Sequence, residues 1–339
     1  MSDPNDVSGA IGSAPSKIGL VVYSYWQRWR GNYSSLQSPP FRNALDVLDH
    51  VQSLGVGSLQ IMVDGWSPEF SKEVRATSEG YGIALQGITE LPKHEADVSR
   101  FEREIRIAKE AGIAVHRSAL GGRRYELYQE VAEFDAFMSA AMRSMELAEP
   151  VLSRHGVKVG IENHKDFESE QLADVLGRFA SEHLGSCIDT GNGLALLEEP
   201  MRAIDHLAPY AVTVHLKDMA VRESVDGFQM SEVPLGQGIC DLTSMIATVR
   251  SKHPEVVFHL EMITRDPLDI PCLSDAYWKT FEAKSGIDLA RVLRLVRERG
   301  VEDLPEIAGK SIEAILAQEE KAVVDSLEFA KGSLGFSGV

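Results

Sequence analysis

The run Gly160-Ile161-Glu162-Asn163-His164 starts like a buried strand and ends on side chains that can bind a metal. Three later runs have the same form: Cys187-Ile188-Asp189-Thr190-Gly191-Asn192, Val214-His215-Leu216-Lys217-Asp218 and Phe258-His259-Leu260-Glu261. Their metal-capable residues follow one another at intervals of 27, 26 and 46 positions: Glu162, Asp189, His215 and Glu261. Intervals of this size fit successive strand-plus-helix units. A parallel barrel would deliver one such side chain from the end of each strand to a common site.

The same alternation extends over most of the chain. Apolar, β-branched runs predict strands at residues 17–23, 58–63, 82–89, 113–115, 157–161, 184–188, 211–216 and 256–260. Helical spacing of apolar residues predicts helices at 44–54, 67–79, 97–111, 126–154, 170–180, 200–207 and 242–249. Eight alternations predict an α/β fold, with parallel strands closed into a (β/α)8 TIM barrel. A doubly wound open sheet is the competing fold. It would normally carry a glycine-rich nucleotide loop after its first strand, which this sequence lacks.

We expect the barrel to occupy residues 17–265, between a leader and a C-terminal extension. Residues 1–16 are rich in Gly, Ser, Asp and Pro and lack the features of a secretory signal, so a disordered leader is expected. Residues 266–339 are expected to form a helical extension, because 288–299 and 312–329 have helical periodicity. Such an extension would bury its apolar stripe on the barrel or on another subunit, and a homo-oligomer is expected.

The composition narrows the possible functions. The net charge of -17 and the pI near 5.1 disfavour a nucleic-acid binder, which needs a basic surface. No apolar run approaches the roughly 20 residues of a membrane span. Three cysteines without CxxC spacing are typical of reduced thiols in a cytoplasmic protein. A small molecule is therefore the expected partner.

Side chains alternate in direction along a strand, which places the polar ends on one face. Glu162 then shares a face with His164, and His215 shares one with Lys217. Three carboxylates and one imidazole suit one divalent ion, such as Mn2+, Mg2+, Co2+ or Zn2+. Without an ion, three buried carboxylates would raise one another's pKa values. The alternative is that each is an ordinary polar residue at a strand end. The spacing and phase of all four favour the metal site.

The four runs, with Lys165-Asp166 continuing the first, resemble the xylose isomerase-like barrel family within its sugar phosphate isomerase/epimerase branch. The stretch from Pro234-Leu235-Gly236-Gln237-Gly238 through Asp241 is similar to the loop that follows strand seven in that branch. The resemblance covers residues 17 to about 265 and is most specific from 157 onward. It implies that one divalent ion is held by the four strand-end residues Glu162, Asp189, His215 and Glu261.

Further residues are candidates for substrate binding. Ketose 3-epimerases of the family usually have a histidine where this chain has Asn192, and an arginine six residues after the strand-seven histidine, where Arg222 is seven away. Both positions contact substrate in those enzymes. His164 is a candidate for substrate or base duty or for a supporting hydrogen bond, and Lys217 for a substrate oxygen or a ligand carboxylate. Trp26 and Trp66 are candidates for a wall on which sugars stack, or for core packing.

The resemblance implies a divalent-metal-dependent isomerase or epimerase that acts on a ketose or sugar derivative through a metal-stabilised enediolate. Glu162 and Glu261 would remove and return the proton. The alternative is a metal-dependent lyase or decarboxylase of a 3-oxo sugar or 3-oxo sugar acid, which Asn192 and the available lysine and arginines favour. An endonuclease IV-type DNA-repair nuclease shares the barrel. It needs additional histidines, including one at position 192, that this chain lacks.

Overall fold

The computed structural model describes residues 16–31, 33, 38–281 and 284–337. The strands are β1 Gly19–Val21, β2 Ser58–Met62, β3 Ala84–Ile88, β4 Val115–Ser118, β5 Lys158–Glu162, β6 Leu184–Asp189, β7 Ala211–Leu216, β8 Asp218–Ser224, β9 Gly227–Val233, β10 Phe258–Leu260 and β11 Leu268–Ile270. The α-helices are α1 Trp26–Arg30, α2 Ala44–Gln52, α3 Pro68–Tyr81, α4 Val98–Glu110, α5 Arg124–Leu127, α6 Val131–His155, α7 Ser169–Phe179, α8 Pro200–Leu207, α9 Leu242–Lys252, α10 Asp275–Trp278, α11 Gly286–Arg299 and α12 Ile312–Ser333. Short 3-10 helices lie at Val22–Tyr25, Glu95–Asp97, Asn192–Leu196 and Ala208–Tyr210.

Eight parallel strands close into a barrel in the order β1-β10-β7-β6-β5-β4-β3-β2, which confirms the predicted (β/α)8 TIM barrel. The register places Asp189 beside His215 and His215 beside His259. Asp189 and His215 therefore lie at one level of the barrel, whereas Glu162 pairs with Cys187 one pleat below and Glu261 lies one pleat above His259. Some predicted bounds were wrong: β1 is shorter because the chain turns into a 3-10 helix at Val22, and α6 begins at Val131 and not at residue 126.

The outward side chains of the strands pack under the surrounding helices. Val159 and Ile161 of β5 and Val214 and Leu216 of β7 are fully buried in the main core. Some helices start at a side-chain cap: the Ser67 side chain accepts a hydrogen bond from Phe70 N at the start of α3. In the described part of the chain, no helix has both the length and the apolar character needed to cross a membrane.

An antiparallel hairpin, which was not among the predicted elements, interrupts the alternation after β7. β8 pairs with β9 along its whole length, and β11 adds to β9 as a third strand. The extension after residue 265 therefore begins with a strand and is not purely helical. The Asp226-Gly227 pair and the alternating polar and apolar residues around it are the sequence signal for such a hairpin.

Helix α12 packs on the barrel wall and joins the main core through Val323, Leu327 and Ala330. Its Glu319 is fully buried and accepts hydrogen bonds from the backbone N–H groups of Gln27 at 2.7 Å and Arg28 at 3.2 Å. The extension thus fixes the segment that follows β1. The predicted leader, residues 1–16, lies outside the described residues apart from Ser16.

We expect Glu319→Ala to destabilise the fold by about 2–3 kcal/mol, because two backbone donors lose their acceptors and a buried side chain is truncated. Urea unfolding followed by circular dichroism measures the change. The control is Glu328→Ala, at an exposed position of the same helix, which should leave the transition midpoint unchanged. Equal midpoints for wild type and Glu319→Ala would contradict the assigned contact.

The same pair of proteins tests a pH dependence. Burial raises the pKa of Glu319 from its ordinary 4.5 to about 8. Because the folded state binds the proton more tightly, the contribution of Glu319 is fully present below about pH 4.5 and is lost as pH rises through about 8. The free-energy difference between wild type and Glu319→Ala should therefore shrink over that interval. A difference that grows over that interval would contradict the assignment.

Candidate metal centre

The structure brings the four strand-end residues together at the carboxyl end of the barrel. Glu162 ends β5, Asp189 ends β6, His215 lies in β7 and Glu261 follows β10. All four are buried, and one ligand atom from each lies within 4.8 Å of the others. The four residues singled out by their regular sequence spacing therefore meet in space.

Hydrogen bonds from neighbouring strands and turns orient these side chains. His215 Nε2 donates to Gln60 Oε1 at 2.7 Å, which turns Nδ1 toward the cluster. Asp189 Oδ1 accepts the backbone N–H groups of Gly191 and Asn192 at 2.9 and 2.8 Å, which turns Oδ2 toward the cluster. Such supporting contacts fix ligand orientation before an ion binds.

The two atoms oriented in this way, His215 Nδ1 and Asp189 Oδ2, are buried and make no hydrogen bond in the described part of the chain, although Asp189 Oδ2 forms an ion pair with Lys217 Nζ at 3.0 Å. His215 Nδ1 lies 3.3 Å from Glu261 Oε2 and 3.7 Å from Glu162 Oε2. In a neutral imidazole this nitrogen carries a lone pair, which would face carboxylate oxygens. Three carboxylates and one imidazole nitrogen directed at one point fit a hard or borderline divalent ion.

Buried cations also hold the carboxylates. Lys217 Nζ lies 2.7 Å from Glu261 Oε2 and 3.0 Å from Asp189 Oδ2, and Arg117 donates to Glu162. Burial raises the pKa of Glu162, but the Arg117 guanidinium, with smaller contributions from His164 and His215, more than reverses this and brings the pKa to about 2. Burial lowers the pKa of Lys217, and Asp189 and Glu261 raise it above its ordinary value. The neighbouring cations therefore favour the ionised forms of Glu162 and Glu261, whereas burial outweighs Lys217 at Asp189 and raises the pKa of that carboxyl.

A cavity of about 370 Å³ opens onto the cluster. It is lined by Tyr23, Trp26, Gln27, Arg117, Ala119, His164, Lys165, Lys217, Glu261, Ile263 and Arg265. A larger cavity of about 750 Å³ lies at the opposite end of the barrel, where β4 to β7 begin, and none of the four strand-end residues lines it. The smaller cavity is the candidate substrate site because it contains the chemically active groups.

Four of the six predicted substrate-binding residues lie at this site. Trp26, His164 and Lys217 line the cavity, and Asn192 Nδ2 donates to Glu162 Oε1 at 3.0 Å. His164 Nδ1 donates to the carbonyl oxygen of Gly121 at 2.9 Å. Burial lowers the pKa of His164 to about 4, so at neutral pH its Nε2 is a hydrogen-bond acceptor.

The other two, Arg222 and Trp66, are not brought to the cluster. Arg222 lies on β8 after the chain has left the barrel, and its guanidinium donates to Gln229 Oε1 of β9. Trp66 follows β2 and packs edge-on against Phe70. The prediction for Arg222 was wrong because it relied on the distance from His215 in sequence. The residues between them begin the hairpin that was not predicted.

The site also contains charged residues that were not among the predicted site residues: Arg117, Lys165, Glu232 and Arg265. Glu232 comes from β9, and its Oε1 lies 3.6 Å from Lys217 Nζ and 2.5 Å from Arg265 Nη2. The Asp226-Gly227 turn was the available signal for Glu232. Lys165 has a left-handed backbone with φ of 74°, a conformation that costs about 1–2 kcal/mol outside glycine, and its Nζ donates to Asn192 Oδ1. No residue pattern in the sequence signals that conformation.

Asp218 organises the loop that the sequence resemblance singled out. Its carboxylate accepts the backbone N–H groups of Gly236, Gly238 and Cys240 at 2.9, 2.9 and 3.0 Å. A Cβ at position 238 would lie 2.1 Å from Asp218 Oδ1, so the loop requires glycine there. This loop is thus tied to the strand end that carries His215 and Lys217.

Comparison with known proteins identifies the family of this chain. A model of the xylose isomerase-like TIM barrel family matches residues 48–280. The chain belongs to this family. The match spans β2 to α10 and therefore includes all four strand-end residues.

Three similar proteins show the range of relatives. The 3-oxo-isoapionate decarboxylase of Pectobacterium atrosepticum is 25% identical over 239 residues, which are 69% of this chain and 80% of that protein. The crystal structure of a D-psicose 3-epimerase in the presence of D-fructose has a TM-score of 0.61 at 15% identity, covering 94% of this chain and 99% of that one. A xylose isomerase-like TIM barrel protein from Mycobacterium smegmatis in complex with magnesium has a TM-score of 0.55 at 14% identity, covering 84% and 97%. The last two likenesses concern the fold alone.

We expect the protein to bind one divalent ion per chain. Each variant that removes one of the four ion ligands should weaken ion binding by at least about tenfold. These variants are Glu162→Gln, Asp189→Asn, His215→Ala and Glu261→Gln. Elemental analysis after loading with Mn2+, Mg2+, Co2+ or Zn2+ measures the ion. The control, Asp205→Asn at an exposed position of α8, should bind as wild type does. Wild-type protein that retains none of the four ions would contradict the site.

Proposed function

We propose that the protein is a divalent-metal-dependent sugar isomerase or epimerase that works through an enediolate next to a substrate carbonyl. When bound, the ion supplies Lewis-acid stabilisation of the negative charge that develops on the substrate oxygens. Glu162, Asp189, His215 and Glu261 would hold it. The net charge of -17 further supports a small sugar, and not a nucleic acid, as the partner.

The paired glutamates carry this proposal. Glu162 and Glu261 come from β5 and from the end of β10, which β6 and β7 separate in the barrel, and their ligand oxygens meet within 4.8 Å. Two carboxylates that approach one centre from different strands can remove a proton from a substrate carbon and return it from another side. That pair of transfers is what isomerisation and epimerisation require.

The cavity side chains support a sugar as substrate. Trp26 offers an aromatic surface on the cavity wall, and His164 and Lys217 offer an acceptor and a donor for hydroxyl oxygens. Arg117 holds Glu162 and lines the same cavity. These groups would orient the substrate relative to the two glutamates and limit access of water.

Decarboxylation of a 3-oxo sugar acid is the second candidate, and the contacts of Glu162 favour it. Arg117 donates to Glu162 Oε2 and Asn192 to Oε1, so both oxygens are engaged and the carboxylate is a weak proton acceptor. Decarboxylation needs no base: the bond to the carboxylate carbon breaks, CO2 leaves, the electron pair stays on the substrate and one proton is then added. The Pectobacterium atrosepticum relative is named for a decarboxylation of this kind.

Solvent deuterium exchange tests the shared enediolate. Metal-loaded protein is incubated in D2O with ketoses, 3-oxo sugars and 3-oxo sugar acids, and products are followed by NMR and by CO2 release. An isomerase or epimerase should place deuterium next to the carbonyl and give a new isomer, whereas a decarboxylase should release CO2 and leave one deuterium in its place. Absence of deuterium incorporation with every substrate and ion would overturn the proposal.

Glu261→Asp separates ion binding from proton transfer. The variant keeps a carboxylate but shortens its reach by one methylene, and proton transfer demands hydrogen-bond contact. We expect it to bind the ion more weakly and, at saturating ion, to lose at least roughly a hundredfold in turnover, with a parallel fall in deuterium incorporation. The control, Glu255→Asp at an exposed position just before β10, should behave as wild type. Normal turnover in Glu261→Asp would assign the base to Glu162 or His164.

A further inference from the structure

The charged side chains at the site form a network that is buried except for Arg265, and its two branches meet at His215, which lies 3.3 Å from Glu261 and 3.7 Å from Glu162. Lys217 pairs with Asp189, Glu261 and Glu232, and Arg265 pairs with Glu232. A second branch contains Arg117, Glu162, Asn192 and Lys165, joined in that order by hydrogen bonds. The network therefore contains four carboxylates and four cations.

The lysines and arginines of this network already equal its carboxylates in number, so a bound dication adds two positive charges that no carboxylate of the network compensates. Buried uncompensated charge is costly. His215 would be neutral when it binds the ion and would not offset the excess. A neutral sugar would leave the excess in place, whereas an anionic substrate would reduce it.

Lys165 is the residue through which a ligand in the cavity can contact this excess positive charge. Its side chain lines the cavity and is 4% exposed. In the described part of the chain, no carboxylate oxygen lies within 4.0 Å of its Nζ, and Asn192 Oδ1 is its hydrogen-bond acceptor. An ammonium group so buried, with only an amide oxygen as partner, still has donors for an anion.

The surroundings of Lys165 reinforce this. Burial, together with the nearby charges of Lys217 and Arg265, lowers the pKa of Lys165 to about 8. Positive charge therefore accumulates on one side of the cavity. The backbone at Lys165 is held in place because its carbonyl oxygen accepts a hydrogen bond from Arg124 N at 2.9 Å.

We infer that the substrate carries an ionised acid group and that Lys165, with Arg265 on the same cavity wall, binds that group. This rests on the proposed function and specifies its substrate class: an acidic sugar and not a neutral ketose. Arg265 keeps Glu232 as its partner while Lys165 supplies the free donors. A carboxylate or a phosphate would satisfy the same chemistry.

Ligand binding by calorimetry tests the inference without turnover. The Mg2+-loaded protein is titrated with gluconate, glucitol and glucitol 6-phosphate, which share a six-carbon polyol chain. We expect one of the two anions to bind at least about tenfold more tightly than glucitol, the scale of one charge-assisted contact. Whichever anion is preferred identifies the acid group as a carboxylate or a phosphate.

Variants connect the preference to Lys165. Lys165→Met and Lys165→Gln should abolish the preference for the anion, while Lys165→Arg should retain most of it. The control is Lys158→Met, at the exposed first residue of β5, the strand that precedes Lys165. It should bind the three polyols as wild type does. Elemental analysis and melting curves establish that each variant is folded and loaded. Equal affinity of wild type for the anions and glucitol, or a preference that survives in Lys165→Met, would overturn the inference.

Failure of this inference is distinguishable from failure of the proposed function. A Lys165-dependent preference for an anion, in a protein that exchanges deuterium into no substrate, would overturn the proposed function alone. Deuterium exchange into neutral sugars, in a protein without anion preference, would overturn the inference alone.

Discussion

The burial of several carboxylates within a few ångströms of one another is the constraint on which the site depends. Burial alone raises the pKa of each acid, and ionised neighbours raise it further. The chain compensates with cations placed on other elements, Arg117 on β4 and Lys217 just after β7. In the proposed function the same carboxylates would hold a divalent ion, and an acidic substrate would balance the positive charge of that ion and the surrounding cations.

The barrel supplies the rigidity that this arrangement needs. Asn163 links two strand ends: its Oδ1 accepts Asp189 N at 2.8 Å and its Nδ2 donates to Asp189 O at 2.9 Å. Thr190 makes a similar link, since its Oγ1 accepts Lys217 N at 2.8 Å. Backbone and side-chain bonds between neighbouring strands thus fix the directions of the charged groups. The small sheet and α12 complete the site by bringing Glu232 to Lys217 and by holding the segment next to Trp26.

The sequence predicts the barrel and the four strand-end residues because both follow from a local period. Each strand-plus-helix unit is short, and strand ends of a parallel barrel meet at one edge, so spacing alone places Glu162 and Asp189 together. The same reasoning fails where the chain departs from the regular alternation of strand and helix. Arg222 was predicted to reach the site from its sequence distance to His215. The residues between them leave the barrel and enter the β8–β9 hairpin, so that distance does not hold. Glu232 returns to the site through that hairpin, so only the turn at Asp226-Gly227 could have indicated it.

The central claim is that these four side chains surround one divalent ion. The most direct measurement is anomalous diffraction from crystals grown with Mn2+, which locates the ion independently of activity. We expect one strong peak per chain within about 2.0–2.6 Å of one atom each from Glu162, Asp189, His215 and Glu261. A peak bound elsewhere in the protein, or no peak at saturating Mn2+, would contradict it.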